Sequence, residues 1–254
     1  MPAAVKTIGI GAGTEPEKVV ESACRVRIPC DIVCYALPGS VAVPAGHTTV
    51  RLHESTTPET ALVGDLMSGR IDAAIRGTLP ANATLQALKS AAGVDHLERI
   101  ALLETARGKK FFFAPVGIDE GWTVAEKVGL IRKGKILAQR FGLPERVGVL
   151  SGGRLGDIGR HERVDRSMAD AELVARLSGA AHCEILIEDA AESCGLIIAP
   201  DGISGNLVFR TLAFLGAGFG HGAPVVNIDK IFVDTSRAQP DYTNALLLAA
   251  SLLE

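Results

Sequence analysis

The sequence predicts an α/β fold, and three observations carry that prediction. Short apolar or β-branched runs of strand length, such as Leu196–Ile198 and Ile231–Val233, alternate with segments whose apolar residues recur at helical spacing. Polar turns rich in glycine and proline follow these runs. The chain has 254 residues, of which 47% are hydrophobic and 22% charged, so it can bury the core of one large domain or two modest ones.

Strands and helices alternate through the first half of the chain. The runs predicted as strands are Val5–Ile10, Asp31–Ala36, Thr48–Leu52, Asp72–Arg76, Ile100–Glu104 and Lys110–Pro115. The segments predicted as helices are Glu15–Val26, Thr60–Ser68, Ala83–Ala92 and Val124–Gln139. Thr14 is the expected cap of the first helix, since threonine caps helices and Pro16 suits a first helical turn. The turn-rich segment Gly142–Arg146 predicts a domain boundary.

The second half continues the alternation. Its predicted strands are Val147–Leu150, Glu184–Ile187, Leu196–Ile198 and Ile231–Val233. Its predicted helices are Met168–Leu177, Leu207–Leu215 and an apolar final segment from Asp241 to Leu253. Four alternating glycines in Gly216–Gly222 indicate a flexible helix end that connects two domains.

Composition and charge exclude several classes of function. A net charge of −3 argues against a nucleic-acid surface, which needs a basic face. No apolar run reaches the roughly 18 residues of a membrane span, and the start of the chain lacks the apolar region of a signal peptide, so a cytoplasmic location is expected. The five cysteines are odd in number and form no Cys-x-x-Cys pair. They are expected to be small buried residues in a reducing compartment, with no metal site.

Two polar turns are the best candidate for a ligand site. Each follows a buried strand and precedes a helix, where free backbone N–H groups and the helix dipole attract anions. Open α/β sheets bind their ligands at that edge. The residues concerned are Asp201, Ser204, Gly205 and Asn206 in the first turn, and Thr235, Ser236 and Arg237 in the second. If the two turns face each other, they form an anion site.

Two further arginines follow predicted strands. Arg76 stands at the end of a buried strand, beside Gly77 and Thr78, and is a candidate anion ligand. A solvated loop arginine is the alternative. Arg154 lies in a glycine-rich basic stretch after Val147–Leu150, which could hold phosphates, although nearby carboxylates favour a solvated loop.

The glycine pattern Gly9-x-Gly11-x-Gly13 allows two interpretations. A dinucleotide-binding fingerprint requires a third glycine where this chain has Pro16, so that interpretation fails. A loop for S-adenosylmethionine is one remaining alternative. A tight strand-to-helix turn is the other, and the sequence favours it.

Several segments together resemble a known family. The carboxyl-terminal signature of phosphate acetyl/butyryl transferases is similar to Ile197–Asn206, Pro224–Asn227, Val233–Arg237 and Asp241–Asn244. A weaker likeness covers Gly69–Gly77 and Arg146–Ser151. The short length and divergent first half resemble one particular branch, the methanogenesis marker protein 4 family, which is also labelled the methyltransferase-related subunit MtxX.

The resemblance implies a two-domain α/β/α fold like that of isocitrate/isopropylmalate dehydrogenases, with the active site in a cleft between domains. Residues 1–145 with 224–254 would form the first domain, and 146–223 a smaller second one. Ser236 and Arg237 match the family's phosphate- and carbonyl-orienting pair. Asp241 matches its base if two residues are deleted before it. A further family arginine is replaced by Gln86, for which Arg76 could substitute.

Three hypotheses about function follow. The first is a phosphotransacetylase-like protein that binds a phosphate- or acyl-bearing metabolite, is associated with methanogenesis and does not transfer acetyl groups. The second is a methyltransferase or methyltransferase subunit, and the third a non-catalytic binding or assembly protein. No tightly bound cofactor is expected. Coenzyme A or another phosphate-bearing ligand is the candidate small molecule, and the resemblance implies a homodimer.

Overall fold

The computed structural model describes residues 5–254, which form two units. The first unit contains the described residues up to Leu97 together with His221–Glu254, and the second contains Glu98–Gly220. The strands are β1 Lys6–Ala12, β2 Cys30–Ala36, β3 Val50–Glu54, β4 Ala73–Ile75, β5 Ala101–Glu104, β6 Lys110–Ala114, β7 Val147–Val149, β8 Ala181–His182, β9 Leu196–Ile198, β10 Phe219–Pro224 and β11 Ile231–Asp234. The α-helices are α1 Pro16–Arg25, α2 Pro58–Ser68, α3 Ala81–Ala92, α4 Val124–Arg140, α5 Glu162–Ser178, α6 Ile187–Ser193, α7 Gly202–Arg210 and α8 Thr243–Ser251.

The first unit is built on a mainly parallel sheet. Its strands follow the order β3-β2-β1-β4-β11-β10, and only β10 runs antiparallel to its neighbour β11. A helix between successive parallel strands is the connection that such a sheet requires. α2 packs against α3, and α8 packs against β4 and β11. Tyr35, Leu66 and Phe232 are among the buried side chains at the centre of the core.

The second unit has its own set of strands and its own buried core. Its strands follow the order β5-β6-β9-β7-β8, in which β5 and β6 form an antiparallel hairpin and the rest are parallel. α4 packs against β6, β9 and α5, and α7 packs against β6. Three consecutive phenylalanines of β6, Phe111–Phe113, are at most 2% exposed because both faces of this strand are covered.

The boundaries of the units differ from those expected at residues 145 and 224. Residues 98–145 belong to the second unit because β6 pairs with β9 and α4 packs over the same strand. The helix ended by Gly142 is therefore an internal element of this unit rather than its border.

Three local predictions are wrong. Glu184–Ile187 is not a strand: Glu184 has a left-handed φ of 54°, the chain turns there, and α6 begins at Ile187. Gly216–Gly222 is not simply a flexible connection, since β10 begins within it at Phe219. Thr14 does not cap α1; Glu15 holds the cap position in a left-handed conformation without a side-chain cap.

Neither a membrane-spanning helix nor a cluster of metal-ligating side chains is present in residues 5–254. No helix there is both long and apolar enough to cross a membrane. That part of the chain also contains no group of three or more histidine, cysteine or acidic side chains that could hold a metal ion. The five cysteines are free thiols, and burial raises the pKa of Cys34 to about 12.

Candidate functional site

Three turns of the first unit lie together because β1, β4 and β11 are neighbouring parallel strands whose carboxyl ends share one edge. The hydroxyl of Thr235 donates to the carbonyl of Gly77 at 3.0 Å. The N–H of Gly13 donates to the hydroxyl of Thr78 at 2.8 Å. Hydrogen bonds therefore join the turn after β4 to the turns on either side of it.

Gly11, near the end of β1, and Gly77, after β4, allow this close approach. A Cβ on Gly77 would stand 1.9 Å from the carbonyl oxygen of Gly11, and Gly77 has a positive φ of 60°. A Cβ on Gly11 would stand 2.5 Å from the carbonyl oxygen of Arg76. Backbone against backbone leaves no room for a side chain at either position. This packing accounts for the glycines at positions 11 and 77.

Arg76 is buried within this group of turns. Its side chain is 6% exposed and forms an ion pair with Asp234, whose own side chain is 12% exposed. The guanidinium also donates to the carbonyl of Leu79 at 2.9 Å. These contacts hold the ends of β4 and β11 together. The binding role predicted for Arg76, Gly77 and Thr78 stays a prediction, and Thr78 is itself fully buried.

Ser236 and Arg237 follow on the outer side of the same edge. The Ser236 hydroxyl accepts a hydrogen bond from the N–H of Ala238 at 3.2 Å, which leaves its own proton available. Arg237 is exposed, and within residues 5–254 its guanidinium makes no hydrogen bond or ion pair. Its carbonyl accepts from the Lys18 ammonium at 2.9 Å, so its backbone is fixed while its side chain is uncommitted.

Asp241 uses both carboxylate oxygens at the start of α8. One accepts from the N–H of Thr243 at 2.6 Å, and the other pairs with Arg25 at 2.7 Å. This geometry anchors α8 to α1. Its predicted role as a catalytic base stays a prediction.

The Asp201–Asn206 turn belongs to the second unit. Asp201 caps α7 by accepting from the N–H of Ser204 at 2.8 Å, and the two side chains form a capping box. A Cβ on Gly205 would stand 1.9 Å from the carbonyl oxygen of Pro115, and Asn206 donates to the carbonyl of Val116 at 2.8 Å. The motif thus locks α7 onto the loop after β6. A ligand-binding role for its residues stays a prediction.

Arg154 is exposed on the loop after β7, where its N–H donates to Asp157 at 2.9 Å. At the base of that loop, His182 contacts the Ser151 hydroxyl at 2.9 Å and Glu172 at 3.2 Å. The order resembles that of a nucleophile, base and orienting acid. However, Ser151 is 2% exposed and donates to the carbonyl of Gly153, so this chain of contacts fixes the loop.

Sequence reasoning missed two buried charges in the second unit. Glu120 is 3% exposed and pairs with Arg99 at 2.6 Å; burial raises the pKa of its carboxyl, and Arg99 only partly offsets this. Lys127 on α4 is 5% exposed. The sequence did carry a signal for Lys127. It stands four, seven and eleven residues before the buried Ile131, Gly134 and Ala138, on the inward face of the helix.

Comparison with known proteins decides the family. A protein of Methanosarcina barkeri (strain Fusaro / DSM 804) named "Putative methyltransferase mtx subunit X" is 50% identical over 210 residues, which cover 81% of this chain and 78% of that protein. A protein of the same name from Methanosarcina acetivorans is 45% identical over 250 residues, which cover 96% of this chain and 89% of that protein. This chain belongs to the mtx subunit X family. No protein-family model matches it.

Solved structures of other proteins share the fold of this chain. A branched-chain phosphotransacylase from Enterococcus faecalis V583 matches with a TM-score of 0.74 and 16% identity, over 98% of this chain and 100% of the other. The EutD phosphotransacetylase from Staphylococcus aureus matches with a TM-score of 0.71 and 12% identity, over 98% and 94%. The predicted family likeness and the predicted phosphotransacetylase-like α/β fold are confirmed.

Proposed function

We propose that this member of the mtx subunit X family binds a phosphate- or acyl-bearing metabolite through Ser236 and Arg237, in a role associated with methanogenesis. The observation that carries the proposal is the uncommitted guanidinium of Arg237 beside a serine hydroxyl with a free proton, on a turn at the carboxyl edge of a parallel sheet. The fold, which the chain shares with phosphotransacylases, supports it.

The chemistry of the two side chains suits an oxyanion. A guanidinium presents two parallel N–H groups that match two phosphate or carboxylate oxygens. The Ser236 hydroxyl adds one donor at the same turn. In a transfer reaction, these donors would stabilise negative charge on the phosphoryl or carbonyl oxygens, while Asp241 would serve as the base.

Titration of the purified protein with inorganic phosphate, acetyl phosphate and coenzyme A tests the proposal. A charge-assisted hydrogen bond contributes about 1.5–3 kcal/mol, so Arg237→Ala should weaken phosphate-type ligands about 10- to 150-fold by calorimetry. Arg27→Ala is the matched control, because Arg27 is an exposed arginine of the same unit whose only described contact is a 3.5 Å bond to the carbonyl of Cys24. Equal affinities in wild type and Arg237→Ala would remove Arg237 from the site.

We also propose that acetyl transfer between acetyl phosphate and coenzyme A is absent or very slow. Gln86, at the position of the family's second arginine, is exposed on α3, and within residues 5–254 its side chain hydrogen-bonds only to Ser90, at 3.4 Å. Arg76 is paired with Asp234. Loss of one transition-state stabiliser typically costs about 2.7–4 kcal/mol, or about 100- to 1,000-fold in rate. An acetyl-transfer assay with turnover within tenfold of a typical enzyme's roughly 10 per second would overturn this.

The names of the relatives favour a second candidate, a methyltransferase or methyltransferase subunit. Binding of S-adenosylmethionine that persists in Arg237→Ala would support it. Gly11 and Gly77 do not support this candidate, because the close packing of the backbone already requires glycine at both positions. A third outcome, anion binding without turnover of any acyl phosphate, would favour a binding or assembly protein.

For assembly we propose a homodimer, in which the apolar side of α7 and the segment after it is covered by a second copy. Leu207 is 61% exposed, Leu215 85% and Phe219 55%, which is unusual for large apolar side chains so close in sequence. A twofold interface would cover the same surface on both copies.

A further inference from the structure

The second unit contains a cavity of about 490 Å³. None of the three residues of the site proposed above, Ser236, Arg237 and Asp241, lines this cavity. Its walls come from the beginnings of three helices. Trp122 and Lys127 belong to the start of α4, Arg163 and Arg166 to the start of α5, and Asp201 to the cap of α7. The positive ends of three helix dipoles therefore converge on it.

Packing of the second unit gives no reason for a charged side chain at Lys127. Lys127 is 95% buried, it lines the cavity, and within residues 5–254 its ammonium makes no hydrogen bond or ion pair. Burial lowers the pKa of Lys127, while the carboxylates of Asp170, Asp201 and Glu126 act in the opposite direction. The stem of Lys127 is buried and its ammonium opens only to the cavity, where the charge is partly desolvated; a methionine would fill the same space without that cost.

Three basic side chains (Lys127, Arg163 and Arg166) and three acidic ones (Glu162, Asp170 and Asp201) line the cavity, so their formal charges sum to zero. Arg166 pairs with Asp170 at 3.1 Å. The carboxylate of Asp201 is occupied by the N–H and hydroxyl of Ser204.

Lys127, Arg163 and Glu162 remain, and within the described chain their side chains make no hydrogen bond or ion pair. Lys127 and Arg163 are therefore the two basic side chains of the cavity that can contact a ligand directly.

We propose that this cavity binds the phosphate group of a small metabolite, with Lys127 and Arg163 as its ligands. The bound group would give the Lys127 ammonium the direct ionic contact that no side chain of residues 5–254 provides. A cavity of about 490 Å³ has room for more than a single phosphate ion, and the half-exposed ring of Trp122 offers a flat apolar face beside it for the rest of the ligand.

The test uses the full chain with Arg237→Ala as background, so that binding at the site proposed above is suppressed and the two proposals fail separately. Inorganic phosphate is titrated by calorimetry into Arg237→Ala, Arg237→Ala/Lys127→Met and Arg237→Ala/Lys135→Met. Lys135 is the matched control, because it lies on the exposed side of the same helix and donates to the carbonyl of Ser178. Lys127→Met should weaken phosphate about 10- to 150-fold, and Lys135→Met should not change it.

Two further measurements keep the proposal open to disproof. Without phosphate, Lys127→Met should have a melting temperature equal to or above that of its background, because it removes a partly desolvated charge that has no direct partner. If Lys127 had a purely structural role, Lys127→Met would instead lower the melting temperature. Arg163→Ala changes an exposed side chain and should fold normally, with phosphate bound at least about threefold more weakly. Unchanged phosphate affinity in both Lys127→Met and Arg163→Ala would overturn the proposal.

Discussion

At the scale of single residues, the core of the first unit contains a buried carboxylate, Asp65, that lies outside the proposed site. Asp65 on α2 accepts from the Tyr35 hydroxyl and from the Arg70 guanidinium, each at 2.7 Å. Burial alone would raise the pKa of Asp65, but the bonds from Tyr35 and Arg70 outweigh it and lower the pKa below its usual value. Tyr35 is stacked on His53 and only 1% exposed, so this contact lies in the core.

The lowered pKa gives a prediction with a defined sign. The carboxyl of an aspartate in an unfolded chain has a pKa of about 3.9, so ionised Asp65 contributes its full stabilisation above that pH. Its contribution is lost as the pH falls through the lower folded value. Asp65→Asn should therefore cost about 1.5–3 kcal/mol of unfolding free energy at pH 7 and progressively less below pH about 4.

Urea denaturation of the two proteins at several pH values measures this difference. Asp95→Asn is the control, since Asp95 is exposed and makes no described contact, and it should change stability little at any pH. A cost for Asp65→Asn that stays constant from pH 7 to pH 3 would refute the assignment of the lowered pKa.

At the scale of elements, two helical glycines of the second unit make a matched pair. A Cβ on Gly205 in α7 would stand 1.9 Å from a backbone oxygen, whereas a Cβ on Gly129 in α4 would meet nothing within 4 Å. Gly205→Ala should destabilise by more than about 2 kcal/mol, because backbone must move to admit the methyl group. Gly129→Ala should stabilise by about 0.5–1 kcal/mol. Thermal or urea unfolding that ranks the two variants the other way would contradict the packing of α7 on the β6 loop.

The elements also show what the sequence could and could not predict. Continuous apolar runs predicted β9 and nearly all of β11, because a strand covered on both faces needs such residues. Glu184–Ile187 contains a similar apolar run of three residues, and nothing in the local sequence indicates that Glu184 adopts a left-handed conformation. The turn with Ser236 and Arg237 was predictable as a polar strand end. The pairing of Arg76 with Asp234 was not, since 158 residues separate them.

At the scale of the whole molecule, the exposed apolar side chains of α7 and the following segment predict self-association. Leu207→Asp or Leu215→Asp should shift the protein from dimer to monomer at micromolar concentration, since a charge would have to be buried in the twofold interface. Sedimentation equilibrium measures this directly. Leu247→Asp is the control on α8 of the first unit, where the side chain is 43% exposed. A wild-type protein that sediments only as a monomer would exclude the dimer.

The order of the first unit's strands has a consequence for how the chain folds during synthesis. β4 leaves the ribosome early, but its neighbour β11 follows only after the whole of Glu98–Gly220 has been made. Until then Arg76 has no Asp234, and one side of β4 lacks its partner strand. The intervening residues carry their own strands and core. If they collapse first, the loop that must close before β11 reaches β4 becomes shorter. The saving is small, because the closure entropy depends only logarithmically on loop length. The unpaired edge of β4 is therefore most exposed to aggregation, or to binding by a chaperone, while the first unit is still incomplete.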